Sequence, residues 1–119
     1  MIPRIDMVSV EDTATYKEVM ELFRENMYTR LPVYHDSTDN IIGIINVKDF
    51  LFVKDTETFA IKDFMRDAYY TYEYKKTSDL MMEMRKSSSN IALVLNEYGS
   101  TEGMITLEDL LEEIVGEIR

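Results

Sequence analysis

Gly43-Ile44-Ile45-Asn46-Val47-Lys48-Asp49-Phe50-Leu51 is met again sixty residues on as Gly103-Met104-Ile105-Thr106-Leu107-Glu108-Asp109-Leu110-Leu111. A glycine, two apolar residues, a polar residue and, three further on, an aspartate followed by two apolar residues recur in one register. A period of this length marks a duplicated supersecondary unit, and missing it misreads the whole fold. At the same offset Arg30-Leu31-Pro32-Val33-Tyr34 meets Asn90-Ile91-Ala92-Leu93-Val94. Upstream, Val19-Met20-x-x-Phe23 meets Leu80-Met81-x-x-Met84 at an offset of 61. Arg4 and Val8-Ser9-Val10 meet Arg66 and Tyr70-Thr71-Tyr72 at 62. Gains and losses in loops account for the drift. The two copies divide the 119 residues into 1–58 and 59–119, with Asp55 to Thr58 as an exposed connection.

Each copy reads β-α-β-β-α. Short extended segments (Met7 to Val10; Tyr69 to Tyr74) precede helices at about Thr15 to Asn26 and Ser78 to Lys86. Val19, Met20 and Phe23 share one helical face, as do Leu80, Met81 and Met84. Strands follow at Leu31 to Tyr34 and Ile91 to Leu95, then polar turns at Asp36 to Asn40 and Asn96 to Glu102. Second strands run over Ile41 to Ile45 and Gly103 to Ile105, and a helix closes each copy from about Val47 and about Leu107. The fold class is α/β (α+β). A unit of about 60 residues buries too little area to stand alone, so the two copies are expected to pack as a pseudo-twofold pair.

Composition excludes several functions. Thirteen Lys and Arg against 23 Asp and Glu give a net charge of −10, the wrong sign for a nucleic-acid backbone or an anionic membrane surface. There is no Cys and a single His, which leaves little for thiolate chemistry, a His-based metal site or a Ser-His pair. No apolar run approaches the roughly 20 residues of a membrane helix. With 45% hydrophobic residues the chain has a core to build, and disorder is not expected.

The glycine and aspartate after a two-strand hairpin, preceded in the first copy by Leu31-Pro32-Val33, resemble a CBS domain, and two in tandem resemble a CBS pair, or Bateman module. Met1-Ile2-Pro3-Arg4, Thr29 to Tyr34, Asn96-Glu97-Tyr98-Gly99 and the run Thr106 to Ile118 resemble one branch, the CorC/HlyC-type hemolysin-related transporters, bacterial relatives of the CNNM magnesium transporters. The resemblance implies a fragment: family members carry a membrane domain before the pair and a small domain after it, and ending at Arg119 fits a cut at a domain boundary. It implies a parent in the bacterial cell membrane with this module, itself a soluble piece, on the cytoplasmic side. It also implies a homodimer formed through the CBS pairs.

Thr106-x-x-Asp109 permits two readings. One is a helix N-cap with an acid at the third position, favourable to the helix dipole. The other uses the same free N–H groups to hold a phosphate, with the hydroxyl adding one hydrogen bond and the carboxylate accepting from two ribose hydroxyls. In CBS pairs this motif resembles the element that holds an adenine nucleotide, facing the first strand and the apolar-Pro-Val segment of the other copy. The resemblance thus implies a site of Met7, Val8, Thr29, Arg30, Leu31, Pro32, Val33, Thr106 and Asp109. The backbone of Leu31 and Val33 would read the adenine edge. Arg30 would either meet phosphate or pair with a surface carboxylate. The mirror set, Asn46, Asp49, Tyr70, Tyr72, Asn90, Ile91 and Ala92, lacks the Thr, the Pro and the cation. It is expected to be weak or empty.

The expected ligand is AMP, ADP or ATP, the last with or without Mg²⁺. No residue is assigned as a metal ligand. Seven acids between Glu97 and Arg119 (97, 102, 108, 109, 112, 113, 117) read chiefly as solvated helix face, with a Mg²⁺-sensing surface as the functional alternative. Met81, Met82 and Met84 read as packing, Tyr69, Tyr70, Tyr72 and Tyr74 alternate about a strand, and His35 reads as a surface residue. The expected function is regulatory: nucleotide sensing coupled to a magnesium or divalent-cation transporter's membrane domain. The rival is a structural dimerisation module with a vestigial cleft. An enzyme is not expected, there being no nucleophile–base pair, no metal cluster and no P-loop.

Overall fold

The computed structural model describes residues 1–118, with side chains described through 116. In chain order its strands are β1 (Ile2–Pro3), β2 (Val10–Glu11), β3 (Arg30–His35), β4 (Ser37–Asn46), β5 (Tyr69–Tyr72), β6 (Ile91–Leu95) and β7 (Thr101–Thr106). The α-helices are α1 (Tyr16–Asn26), α2 (Thr77–Lys86) and α3 (Leu107–Ile118). Short 3-10 turns lie at Arg4–Asp6, Val47–Phe50 and Ile61–Asp63.

The chain forms two compact units, Val8–Asp67 and Met1–Met7 with Ala68–Arg119. These do not coincide with the sequence copies 1–58 and 59–119. The first seven residues belong with the second copy because β1 pairs antiparallel with β7, Ile2 opposite Met104 and Pro3 opposite Gly103. Segment 61–67 stays with the first copy because Arg66 and Ile44 exchange both backbone hydrogen bonds, 2.9 and 2.7 Å. Asp55 to Thr58 is exposed, as expected, but it is a turn inside the first unit: the Asp55 carboxylate accepts from Glu57 N, Thr58 N and the Thr58 hydroxyl.

In the unit Val8–Asp67 the sheet order is β2-β3-β4, with β2 parallel and β4 antiparallel to β3. Parallel neighbours need a crossover, and α1 supplies it. Thr15 caps α1 in a reciprocal box: its Oγ1 accepts from Glu18 N, and its own N–H donates to Glu18 Oε1 at 3.1 Å. The capped helix buries Val19 and Phe23 against Val10, Leu31, Val33, Ile45, Phe50 and Ile61. The other unit has the order β1-β7-β6-β5. Its α2 buries Leu80 and Met84 against Ala92, Val94, Ile105 and Leu110.

Three expectations about the elements change. The first extended segment shortens to Val10–Glu11, and Tyr69 to Tyr74 to Tyr69–Tyr72. The turn expected at Asp36 to Asn40 is mostly strand: the reversal is made at Asp36, φ 62°, and β4 runs ten residues from Ser37. The helix expected from Val47 is only a four-residue 3-10 turn, whereas its counterpart α3 runs twelve residues. Aromatic packing explains the difference. Phe50 is fully buried and meets Phe59 at 5.5 Å and Phe64 at 5.1 Å between ring centroids, and those two rings stack on each other. The chain after Phe50 must double back for both rings to arrive. At the matching position Leu110 is buried against Leu80, Met84, Ala92, Val94 and Ile105, within the twelve residues of α3.

Candidate functional site

The hydrogen-bonded register fixes how the two copies correspond. Val33 lies opposite Gly43 and Val94 opposite Gly103; Arg30 lies opposite Asn46 and Ile91 opposite Thr106. Val33 therefore matches Val94, Leu31 matches Ala92, Pro32 matches Leu93, Arg30 matches Ile91 and Thr29 matches Asn90. The offset is 61 through both helices and both central strands, and falls to 60 only after the hairpin, which is one residue shorter in the second copy. This corrects the sequence alignment, which placed Ala92 at Pro32 and Asn90 at Arg30. Likewise Val10 matches Thr71, since both face the matched valines. Tyr70 and Tyr72 then correspond to Ser9 and Glu11, and Ala68 and Tyr69 to Met7 and Val8. Burial agrees: Leu31, Pro32 and Val33 are buried, as are Ala92, Leu93 and Val94.

The helix starts differ more than their sequences do. Thr106 ends β7 and caps α3: its Oγ1 accepts from Asp109 N at 3.2 Å. Leu107 N donates to the Asn90 carbonyl at 2.9 Å, which fixes the entry of the helix against β6. Glu108 and Asp109 occupy the first turn, where negative charge suits the dipole. Among the described residues, no side-chain donor or cation bonds the Asp109 carboxylate. In the first copy Asn46 Oδ1 caps the 3-10 turn by accepting from Lys48 N at 3.1 Å, one amide earlier than Thr106 caps α3, and Val47 N donates to the Thr29 carbonyl. Asp49 is gripped by Arg66 through both oxygens, Nε at 3.0 Å and Nη2 at 2.9 Å.

The remaining expected residues fall on both units. Val8 is half-buried against the first unit's core, Thr29 is exposed at the end of the α1–β3 loop, and Arg30 is half-buried at the start of β3. No ion pair joins Arg30 to a described carboxylate, so the surface-pairing alternative has no partner there. Leu31 and Val33 point their side chains into the first unit's core and Pro32 between them is also buried, leaving backbone as what they offer a ligand. Strand β2 pairs with β3 only at Val33 and Tyr34, whereas β5 pairs with β6 from Ala92 to Leu95. Pro32, which has no N–H to donate, stands where the shorter pairing stops, and Leu93 replaces it in the longer one. Met7, Thr106, Asp109, Tyr70, Tyr72, Asn90, Ile91 and Ala92 belong to the other unit. Arg66 is the residue that sequence reasoning undervalued. Its repeat of Arg4 was visible, but the carboxylate it would hold was not.

Elsewhere, Tyr69 donates to Glu83 Oε2 at 2.7 Å, which raises the phenol pKa, and Lys75, ahead of that bond, lowers the Glu83 pKa. His35 Nδ1 lies 2.8 Å from Asp12 Oδ2 on the surface. Among the described residues no group of three His, Cys, Asp or Glu side chains is placed to hold a metal ion. Glu112 and Glu113 are exposed on α3; Glu117 lies outside the described side chains.

Comparison with known proteins accounts for this architecture. The CBS domain family matches residues 1–55 and again 61–116. The magnesium and cobalt efflux protein CorC of Escherichia coli is 36% identical over 120 residues, which cover 99% of this chain and 41% of that protein. The curated relatives are much longer, the chain spanning 27% to 44% of six of them. The CBS domain of the bacterial CNNM/CorC family Mg²⁺ transporter in complex with ATP superimposes with a TM-score of 0.92 at 38% identity, covering 98% of this chain and 84% of that one. A CBS-domain pair with bound AMP from Klebsiella pneumoniae gives 0.83 at 26% identity, covering 98% and 94%. The duplicated β-α-β-β unit, the two glycine-led strand ends and the acid-rich closing helix are thus those of a tandem CBS pair, and the chain belongs to the CBS domains of the CNNM/CorC transporter family.

Proposed function

We propose that this chain is the regulatory adenine-nucleotide-binding module of a magnesium or divalent-cation transporter of the CorC/CNNM type. Thr106 and Asp109 take the ribose and phosphate, with Met7, Val8, Thr29, Arg30, Leu31, Pro32 and Val33 as the remaining contacts. The supporting observation is the start of α3. There a capped twelve-residue helix presents its first-turn amides beside a carboxylate that no described side chain engages. Such a terminus suits an anion. Arg30 adds a cation in a chain of net charge −10, where a polyphosphate needs one. The mirror set carries no part of this reading.

Regulation requires that AMP, ADP or ATP bind one arrangement of the parent transporter better than another, since equal affinity shifts nothing. Mg²⁺ enters as the counter-ion of ATP, and by linkage each then raises the other's affinity. The module sits on the cytoplasmic side of the parent's membrane domain and pairs with a second copy. Leu111 and Val115, one helical turn apart and exposed on α3, support pairing.

Isothermal titration calorimetry with AMP, ADP and ATP, with and without Mg²⁺, tests this reading. Saturable heat that is lost in Asp109→Ala, with Mg²⁺ needed only for ATP, is the expected result. A folded dimer giving no heat and no thermal shift with any of the three would refute nucleotide sensing and leave a dimerisation module with a vestigial cleft.

A further inference from the structure

The chain that doubles back behind Phe50 leaves part of its aromatic surface uncovered. Phe59 and Phe64 each meet Phe50 and stack on each other at 5.5 Å, yet both stay half-buried. With Phe52 and Val53 they line an open groove of about 470 Å³ that lies wholly within the unit Val8–Asp67. Phe52 is 85% exposed and its neighbour Leu51 63%, so the lip of the groove is as apolar as its floor. Exposed apolar residues scattered singly are ordinary, but a contiguous patch marks an interaction surface. The rim is acidic: among the described residues lining the groove, Asp49, Asp55 and Asp63 stand against Lys54. Arg66 answers the Asp49 charge, whereas no described ion pair is made by Asp55 or Asp63. Asp55 is held in place and kept ionised by the Thr58 hydroxyl and the Thr58 and Glu57 amides.

We propose that this groove is a docking surface for a segment of a partner protein that carries Lys or Arg beside an apolar anchor. The anchor packs on Phe52 and the Phe59–Phe64 stack, and the cation meets Asp55 and Asp63 at the rim. Charge selects this occupant over a second copy. The chain carries −10, and its exposed apolar residues on α3, Leu111 and Val115, lie among Glu112 and Glu113. Two acidic faces repel, whereas a basic segment is drawn in. Nucleotide binding has no part in this inference.

The probe is a fluorescein-labelled amphipathic peptide with one Leu face and one Lys face, read by anisotropy and by amide chemical shifts of the full chain. Its Glu-for-Lys counterpart is the charge control. One saturable site is expected, with shifts concentrated in residues 51–64 and affinity that falls with salt. Phe52→Ser, at an exposed position and so with an unchanged melting midpoint, should weaken binding about tenfold. Asp63→Asn should weaken it about two- to fivefold. Glu21→Gln should leave it unchanged, because that residue lies with Glu18 and Glu25 in another acidic groove, lined among the described residues by no phenylalanine. Equal losses in Glu21→Gln and Asp63→Asn, or shifts spread over α1 and α3, would overturn the proposal by showing attraction to charge alone. No binding of the Lys peptide, or equally tight binding of the Glu peptide, would overturn it too. Concentration-dependent shifts at Phe52 and Phe64 without peptide, abolished by Phe52→Ser, would show a second copy in the groove, and the proposal would fall.

Discussion

Gly103→Ala should unfasten β1 from β7. Gly103 has no positive φ, so its backbone would accept alanine; space is what forbids it. A Cβ at 103 would run into the carbonyl oxygen of Ile2 and lie 3.2 Å from both the Ile2 carbonyl carbon and Met1 Cγ. The Met1 side chain can swing away, but the Ile2 carbonyl belongs to the pairing of Ile2 with Met104 and Pro3 with Gly103. Overpacking of this kind costs about 1–3 kcal/mol. Alanine returns about 0.4–1 kcal/mol by restricting the unfolded chain. The difference spans about 0–2.6 kcal/mol, centred on about 1.3, and that central value lowers the melting midpoint of a chain of this length by roughly 4–8 °C.

Gly116→Ala is the internal control. It lies in α3 with nothing within 4 Å of the added carbon, so alanine there should raise the midpoint, by up to about 1 kcal/mol of helix propensity. Circular dichroism melts of both variants give the signs, and amide hydrogen exchange locates the effect. Protection should be lost at Ile2 and Met104 in Gly103→Ala and kept within β6. Deleting residues 1–3 should abolish the penalty of Gly103→Ala, because the clashing carbonyl is gone. A penalty that survives the deletion, or a Gly103→Ala midpoint equal to wild type with Ile2 still protected, would refute the close-approach argument.

Three further outcomes follow from the geometry. Thr15→Ala removes the reciprocal cap of α1 and should lower stability by about 1 kcal/mol in urea denaturation, with Thr15→Ser nearly neutral. His35 has its pKa raised by the Asp12 hydrogen bond first and then by the charges of Asp36 and Asp12. Its folded pKa therefore exceeds the unfolded one, so its stabilisation is complete below the unfolded pKa of about 6.5 and is lost as pH rises through the folded value. As the only histidine, its ring proton can be followed by NMR, and Asp12→Asn should bring the midpoint down. Tyr69→Phe frees Glu83 from one of its two partners, and its carboxylate pKa, read by NMR, should rise while the Lys75 pair persists.

The duplication was legible because glycine and aspartate punctuate otherwise interchangeable apolar runs. The glycines recur for one physical reason: at both positions another backbone segment crosses where a Cβ would stand, Ile2 over Gly103 and Arg66 over Gly43. The strand register was less legible. Ile, Ala, Leu and Val shift by one residue without breaking an apolar pattern, so a one-residue difference in hairpin length passed unseen until hydrogen bonds paired Val33 and Val94 with their glycines. The short turn at Val47–Phe50 was hidden for another reason. Its apolar spacing matches that of α3, although Val47, Phe50, Phe52 and Val53 are weaker helix formers than the Leu and Glu of α3, and the rings that draw the chain back, Phe59 and Phe64, lie nine and fourteen residues downstream of Phe50. At the candidate site, Thr106 as a cap to Asp109 could be read from spacing alone. The capture of Asp49 could not, since Arg66 lies seventeen residues away with no local pattern joining them.

The two copies diverge at the same place for connected reasons. In both, a segment from outside the core strands covers the outer edge of the hairpin, and in both a glycine admits it. On β7 the cover is β1, which ends at Pro3 and leaves the start of α3 to Thr106 and Asp109. On β4 the cover arrives at Arg66, whose side chain reaches the turn and holds its aspartate. The aromatic cluster that brings residues 59–64 back against Phe50 is what delivers Arg66 to Ile44 two residues later. A shortened helix and an occupied carboxylate are therefore one event in the first copy, not two. In the second copy the same motif gives a capped helix whose Asp109 carboxylate no described side chain engages. Restoring an unengaged acid in the first copy would require removing Arg66, while lengthening its helix would require losing Phe59 and Phe64 from the core. In the first copy, tertiary packing around Phe50 thus accompanies both differences, beside the Asn46-for-Thr106 difference that the sequence displays.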